Sequence, residues 1–396
     1  MRPLRVALCA DFPEERWPSM DRVADRLCTY LRRDHGQQIE VTPVVPRFVR
    51  RATWLSRRES GRAYLLDRIV NRLWDYPRHV QPLADQFDVF HVIDHSYSQL
   101  VHHLPAGQTV VTCHDLDTFR SLLRPEEEPR SRPYNAMMRH VLAGLRQAAR
   151  ITCDTEAVRT ELVAQRLAEP DRVTVAPVAV GPEFSHRPDR DADDVAARLV
   201  GAPADVPVLL HVGSTISRKR IDVLLDTFAG LSGRAPDMRL VRVGGRLTGD
   251  QATRARALGV ADRIITPEFL DDRVLAAIYR RATLVLLPSE REGFGLPLVE
   301  AMACGTPVVA SDLEVLREVG GSCVEYCPVG AVSLWRQRVL ELLAEWQHAP
   351  ARRAARVEAG LGRAVRFSWP HFAALIADVY RETARRPVRG LVRVSA

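Results

Sequence analysis

Residues 284–307 carry the pattern that most restricts how this chain can fold. The apolar run Leu284 to Pro288 is short enough for a strand buried on both faces of a parallel sheet. Ser289, Glu290 and Arg291 then bring the polarity of a loop at a strand's carboxyl end. Gly293 and Gly295 bracket Phe294, so the backbone there can approach a ligand closely and adopt positive φ. Pro297 suits the first turn of a helix, Leu298 to Ala303 continue it, and Gly305 and Pro307 end it. A strand, a glycine loop and a helix N-terminus with free N–H groups make a ready anion site. Glu292 stands before the loop and Glu300 about one turn into the helix. Two carboxylates with amides between them suit a diphosphate carrying a polyol on both sides, because carboxylates accept from hydroxyls and amides hold phosphate oxygens.

The same strand-then-helix grammar repeats along the chain. Apolar runs at 4–10, 39–45, 87–93, 109–113 and 150–153 read as strands, with helices expected over about 20–33, 134–149 and 156–166. A second series follows, with strands at 208–212, 240–243, 284–288 and 308–312 and helices over about 221–231, 272–281, 332–346, 351–365 and 370–383. At 396 residues the chain exceeds one core of usual size, so two α/β domains are expected. The boundaries read as 1–188 for the first domain, 189–206 for a charged, alanine-rich connection and 207–368 for the second domain. Residues 369–396 form a last helix and tail.

The stretch EGFGLPLVEAMACGTPVVAS, with its E-x7-E spacing, resembles the motif of retaining GT-B glycosyltransferases of sequence family 4. The likeness runs over about Val208 to Val319 and extends to VVTCHDLD at His114. The resemblance implies two Rossmann-like, doubly wound domains facing across a cleft, the last helix crossing back to the first domain, and domain closure around the donor. It implies transfer of a hexose from a UDP- or GDP-linked sugar to a glycan, lipid-linked or small-molecule acceptor, with retention and with neither metal nor other cofactor. Carried onto this sequence, the donor pyrophosphate falls to Gly213, Ser214, Arg218, Lys219, Gly293, Phe294, Gly295 and Leu296, and the ribose to Glu300. His114, Glu292 and Lys219 are the expected catalytic residues, with Glu292 holding the donor sugar's hydroxyls. Ser214 stands where the family commonly has arginine, which leaves Arg218 or Arg220 to supply that charge. Pro18-Ser19-Met20 replaces the usual glycine pair of the first loop, so no phosphate contact is carried over there.

Charge adds two observations. The net charge is +7, and Lys219 is the only lysine in the sequence. A lone lysine among so many arginines marks a position where a compact ammonium fits and a planar guanidinium does not. Residues 47–78 interleave Arg47, Arg50, Arg51, Arg57, Arg58, Arg62, Arg68, Arg72 and Arg78 with Phe48, Trp54, Tyr64, Trp74 and Tyr76. That composition fits an anionic membrane surface, or a solvated arginine face over core aromatics. No nucleic-acid recognition motif accompanies it. No histidine pairing has metal-ligand spacing, and the seven scattered cysteines read as reduced core thiols. No run approaches the roughly 18–20 apolar residues of a membrane span, and the N-terminus is unlike a signal peptide. A cytoplasmic protein, peripheral at the inner membrane face, is therefore expected. A nicotinamide oxidoreductase is disfavoured because the first strand lacks G-x-G-x-x-G. The alternatives to transfer are a non-catalytic nucleotide-sugar-binding subunit and a GT-B-fold phosphorylase or epimerase.

Overall fold

The structure, a computed structural model, describes residues 2–15, 17–54, 61–268 and 270–385. The chain divides into two compact units, Met1–Val178 with Trp369–Ala396, and Ala179–Ser368.

In the first unit the strands β1 (Leu4–Cys9), β2 (Ile39–Val44), β3 (Val89–Val92), β4 (Thr109–Cys113), β5 (Arg150–Cys153) and β6 (Val173–Val175) form one sheet. Their order is β2-β1-β3-β4-β5-β6, and every pairing is parallel. Every residue of β3 and β4 is buried, as expected where crossover helices cover both faces. The edge strand β2 instead buries Ile39, Val41 and Val44 and exposes Glu40, Thr42 and Pro43, and its edge position is where a proline is tolerated. The helix Trp369–Arg385 packs on the helix Pro18–His35, with Tyr30 stacked on Trp369 at 6.0 Å between ring centroids. From that helix Tyr380 reaches His91 on β3 at 2.7 Å.

In the second unit β7 (Val208–Val212), β8 (Arg239–Val243), β9 (Ile264–Ile265), β10 (Leu284–Leu287), β11 (Val308–Ser311) and β12 (Glu325–Cys327) form the second sheet. The order is β12-β11-β10-β7-β8-β9, again wholly parallel. One side of this sheet packs on Phe228, Trp335, Val339 and their neighbours. The winding reverses between β7 and β10 here, and between β1 and β3 in the first unit. Open sheets of this kind bind ligands outside the carboxyl ends of the strands at such a reversal.

Three sequence expectations need correction. Residues 189–206 are not a bare connection: they hold the helix Arg190–Val200, capped by Asp189 and packed on the helix Asp272–Arg281. The ion pairs Arg273–Asp189 and Arg280–Asp193 tie the two helices, and the second unit begins at Ala179 rather than after residue 206. The helices Arg62–Val70 and Gly249–Ala257 were not foreseen either. Of the arginine-rich stretch, Arg57 and Arg58 lie outside the described residues. Phe48, Tyr64 and Tyr76 are core residues, whereas Trp54 and Trp74 are exposed. All seven cysteines are unbridged and six of them are buried.

Candidate functional site

In the second unit the loops after β7 and β10 meet at the point of reversal. The first is Gly213 to Arg220 and the second Ser289 to Gly295. A backbone bond from Glu290 N to Arg218 O, 2.7 Å long, joins them. Lys219 Nζ lies 2.5 Å from Glu292 Oε1, which also accepts from Ser289 Oγ at 2.6 Å. Arg218 Nη1 donates to Arg291 O at 2.9 Å and approaches Glu292 Oε2 at 3.5 Å. The Lys219 and Glu292 side chains are only 11% and 7% exposed, so this pair is close to fully desolvated. Burial raises the Glu292 carboxyl, but the ammonium of Lys219 and then the guanidinium of Arg218 outweigh it, and the group is held below its ordinary value. Arg220 turns away and chelates Asp222 through Nε and Nη2. Of the two arginines near Lys219, Arg218 is thus the one placed beside the glycine loop.

That loop is shaped for close approach. Gly295, at φ +91°, caps the helix Leu296–Ala303, whose first turn directs N–H groups without helical acceptors toward the loop. Phe294 is buried and packs edge-on against Phe367 at 5.5 Å, which anchors the loop to the unit's own core. Gly293 is buried, Leu296 half-buried and Ser214 exposed. One helical turn further on, buried Glu300 accepts from the Tyr279 hydroxyl at 2.7 Å, while Thr306 Oγ1 donates to Tyr279 O at 2.6 Å.

Two residues of this site escaped the sequence reading. Tyr279, which orients Glu300, sits on a helix face that reads as ordinary core. Arg242, wholly buried on β8, spreads its guanidinium over the carbonyls of Gly213, Gly244 and Gly245, with 2.7 Å to Gly213 O. Burial lowers its pKa to about 10. Gly244 is confined to glycine, because a Cβ there would come within 2.2 Å of Gly213 O. An arginine flanked by two valines within a strand was the available signal. His211 lies beside Gly213, and burial followed by Arg242 and Lys219 holds its imidazole down at about 3, hence neutral.

His114 belongs to the other unit, at the end of β4. Its Nδ1 lies 2.8 Å from Asp154 Oδ2 and its Nε2 3.0 Å from Ile93 O. Both partners are acceptors, so both ring nitrogens carry protons and the ring is an imidazolium. Burial opposes that charge, but Asp154, then Asp94 and Asp115, raise the pKa to about 9. His114 therefore supplies a fixed positive charge, with neither nitrogen left open to a substrate.

Two family descriptions match this chain, Glycosyltransferase Family 4 over residues 20–184 and Glycosyl transferases group 1 over residues 197–354. The D-inositol 3-phosphate glycosyltransferase of Thermobispora bispora is 34% identical over 252 residues, covering 60% of this chain and 57% of that protein. D-inositol 3-phosphate glycosyltransferase 2 of Catenulispora acidiphila is 36% identical over 252 residues, covering 59% and 56%. The chain thus spans little more than half the length of these relatives. Among solved structures, sucrose-phosphate synthase from Thermosynechococcus elongatus has a TM-score of 0.74 at 20% identity, over 96% of this chain and 98% of the other. The Anabaena protein HepE, solved with UDP and glucose, has a TM-score of 0.70 at 16% identity, over 96% and 100%. At these identities the likeness establishes the fold, two α/β domains of the GT-B type. Matched in both of its units, the chain belongs to the family 4, group 1 glycosyltransferases.

Proposed function

We propose that this protein transfers a hexose from a nucleoside-diphosphate sugar, UDP- or GDP-linked, to a glycan, lipid-linked or small-molecule acceptor, with retention and without a metal ion. The observation that carries this reading is the Arg218–Lys219–Glu292 cluster beside the glycine loop, at the reversal between β7 and β10. A leaving diphosphate needs positive charge, and two side-chain cations plus a helix N-terminus stand together there. Before the donor arrives, Glu292 neutralises Lys219. An incoming diphosphate takes over the two cations and frees the Glu292 oxygens to accept from sugar hydroxyls. Glu300, oriented by Tyr279, accepts from the ribose, and with Lys219 and Glu292 the imidazolium of His114 is the remaining group to which we assign a catalytic role. Because HepE was solved with UDP and glucose, UDP-glucose is the first donor to try, and inositol phosphates are acceptors suggested by the relatives' names.

The test is thermal stabilisation of the purified protein by UDP, GDP and dTDP sugars in EDTA, beside Lys219→Ala. A specific donor raises Tm by mass action, and the variant loses that response. Equal response in the variant would remove Lys219 from the site. Donor binding with no transfer to any acceptor would favour the non-catalytic subunit instead.

We also propose a cytoplasmic protein peripheral to an anionic membrane. Among the described residues no helix is long and apolar enough to cross a membrane. Trp54, Leu65, Leu66 and Trp74 are each more than half exposed amid Arg51, Arg62 and Arg78, which is the composition of an interfacial contact. Failure to sediment with anionic liposomes at low salt would remove this contact.

A further inference from the structure

Behind the loops that follow β7 and β8 lies a cation with no counter-ion. Arg242 is wholly buried, and among the described residues no carboxylate pairs with it. Burial alone moves its pKa, and leaves the guanidinium charged at neutral pH. His211, its register neighbour on β7, is neutral and offers no counter-charge. Nη1 donates to Gly245 O and Nη2 to Gly213 O and Gly244 O, but Nε is buried without a partner. A desolvated charge held only by neutral carbonyls is destabilised until an anion comes near it.

The three carbonyls show where that anion would come. A trans peptide is planar and sets its N–H opposite its C=O. Carbonyls turned onto Arg242 therefore turn the amides of Ser214, Gly245 and Arg246 the other way. That side is open, because Ser214, Gly244, Gly245 and Arg246 are all exposed. The arrangement is braced. Gly213 N donates to Val243 O at 2.9 Å, which stitches the ends of β7 and β8 together, and Gln251 Nε2 holds Thr215 O at 3.1 Å. A cation at the carbonyl end also polarises each peptide and makes its N–H a stronger donor. Amides gathered above a buried charge form a cradle for an anion.

The charges set the class of that anion. Arg218, Lys219 and Arg242 bring three positive charges to these loops and Glu292 one negative, an excess of two. The two phosphates of a sugar diphosphate carry one negative charge each and match that excess. Without Arg242 the site is one charge short.

We propose that Arg242 is a positioning residue for the donor diphosphate: from behind the loops it aims the Ser214, Gly245 and Arg246 amides at the phosphates and supplies a positive charge that no side chain of the protein neutralises. This rests on the transferase reading above. It also gives Ser214, which brings no charge of its own, a part in the site through its backbone.

Saturation-transfer NMR on the full chain in EDTA compares UDP and GDP with uridine and guanosine, which lack the diphosphate. Arg242→Met should weaken the nucleoside diphosphate that the wild type binds by about tenfold or more, and leave its nucleoside within about twofold. Retained nucleoside binding also shows that the variant is folded. Arg242→Lys keeps the charge but not the fork, and should lose about threefold on the diphosphate alone. Where Arg242→Met does not fold, Arg242→Lys decides by the same split. Equal weakening of diphosphate and nucleoside would mean that Arg242 only supports the fold, and overturns the proposal. Diphosphate affinity unchanged in both variants overturns it too, while the transferase reading stands. Binding of neither nucleotide by the wild type overturns the transferase reading and this proposal with it.

Discussion

Lys219 and Glu292 stabilise each other only as a pair. With both side chains nearly buried and 2.5 Å apart, Lys219→Met strands a carboxylate that burial disfavours as an anion. Removing one end of a buried pair costs about 3–5 kcal/mol, and Arg218 at 3.5 Å should hold this case near the lower figure. Adding Glu292→Gln should recover most of that loss in urea denaturation, while nucleotide-induced stabilisation stays absent in both variants. A double variant no more stable than the single one would show that the two side chains are not coupled. The partnership was half legible in the sequence. A lone lysine in an arginine-rich chain and a glutamate before a glycine loop both stand out, but their contact joins loops 73 residues apart. Arg218 and Arg220 were indistinguishable because both flank Lys219, and only the turn decides which side each faces. Arg242 was hidden by its strand, since an arginine between valines usually signals an exposed edge, whereas here three loop carbonyls accept from its two Nη groups.

Among the elements, parallel strands were the easiest to read, because strands buried on both faces must be continuous apolar runs. Helices with wide apolar stripes were legible too. The helix Arg190–Val200 was not, because its buried positions are Ala192, Ala196 and Val200, a stripe of mostly small residues that barely differs from a polar connection. It holds through its Asp189 cap and through ion pairs to a helix about eighty residues away, which no local pattern reveals. The last helix is fixed by a comparable long-range contact. Tyr380 meets His91 Nδ1 at 2.7 Å, His91 Nε2 meets Thr112 Oγ1 at 2.7 Å, and Thr112 meets Thr152 Oγ1 at 2.7 Å. This buried relay joins the helix Trp369–Arg385 to β3, β4 and β5. Tyr380→Phe leaves an imidazole nitrogen buried without a partner, a penalty of about 1–3 kcal/mol. Urea denaturation should show that loss, and an unchanged midpoint would mean that the hydroxyl contributes nothing to holding the helix.

Across the whole molecule, two buried histidines and one partly buried one make stability depend on pH differently in the two units. His91 in the first unit is lowered to about 3, by burial and then by His114, and His211 in the second is lowered to about 3 by burial, Arg242 and Lys219. An unfolded chain binds protons at these positions near 6.5 that the folded chain refuses. Their contribution is therefore present above 6.5 and lost as pH falls below it, by about 2 kcal/mol each at about pH 5. His114 has the opposite sign. With its folded pKa raised from 6.5 to about 9, it stabilises fully below 6.5 and loses about 3 kcal/mol as pH rises through 9. His91 and His114 share the first unit, so these groups give that unit a stability maximum near 6.5, whereas His211 gives the second unit a loss on the acid side only. Amide exchange, corrected for its intrinsic pH dependence, resolves the two: protection of β3 and β4 should fall on both sides of the maximum, and protection of β7 only below it. Asp154→Asn removes the main counter-charge to His114 and should flatten the alkaline limb alone. If that limb is already flat in the wild type, His114 is not an imidazolium, and the charge assigned to the ends of β4 and β5 has to be withdrawn.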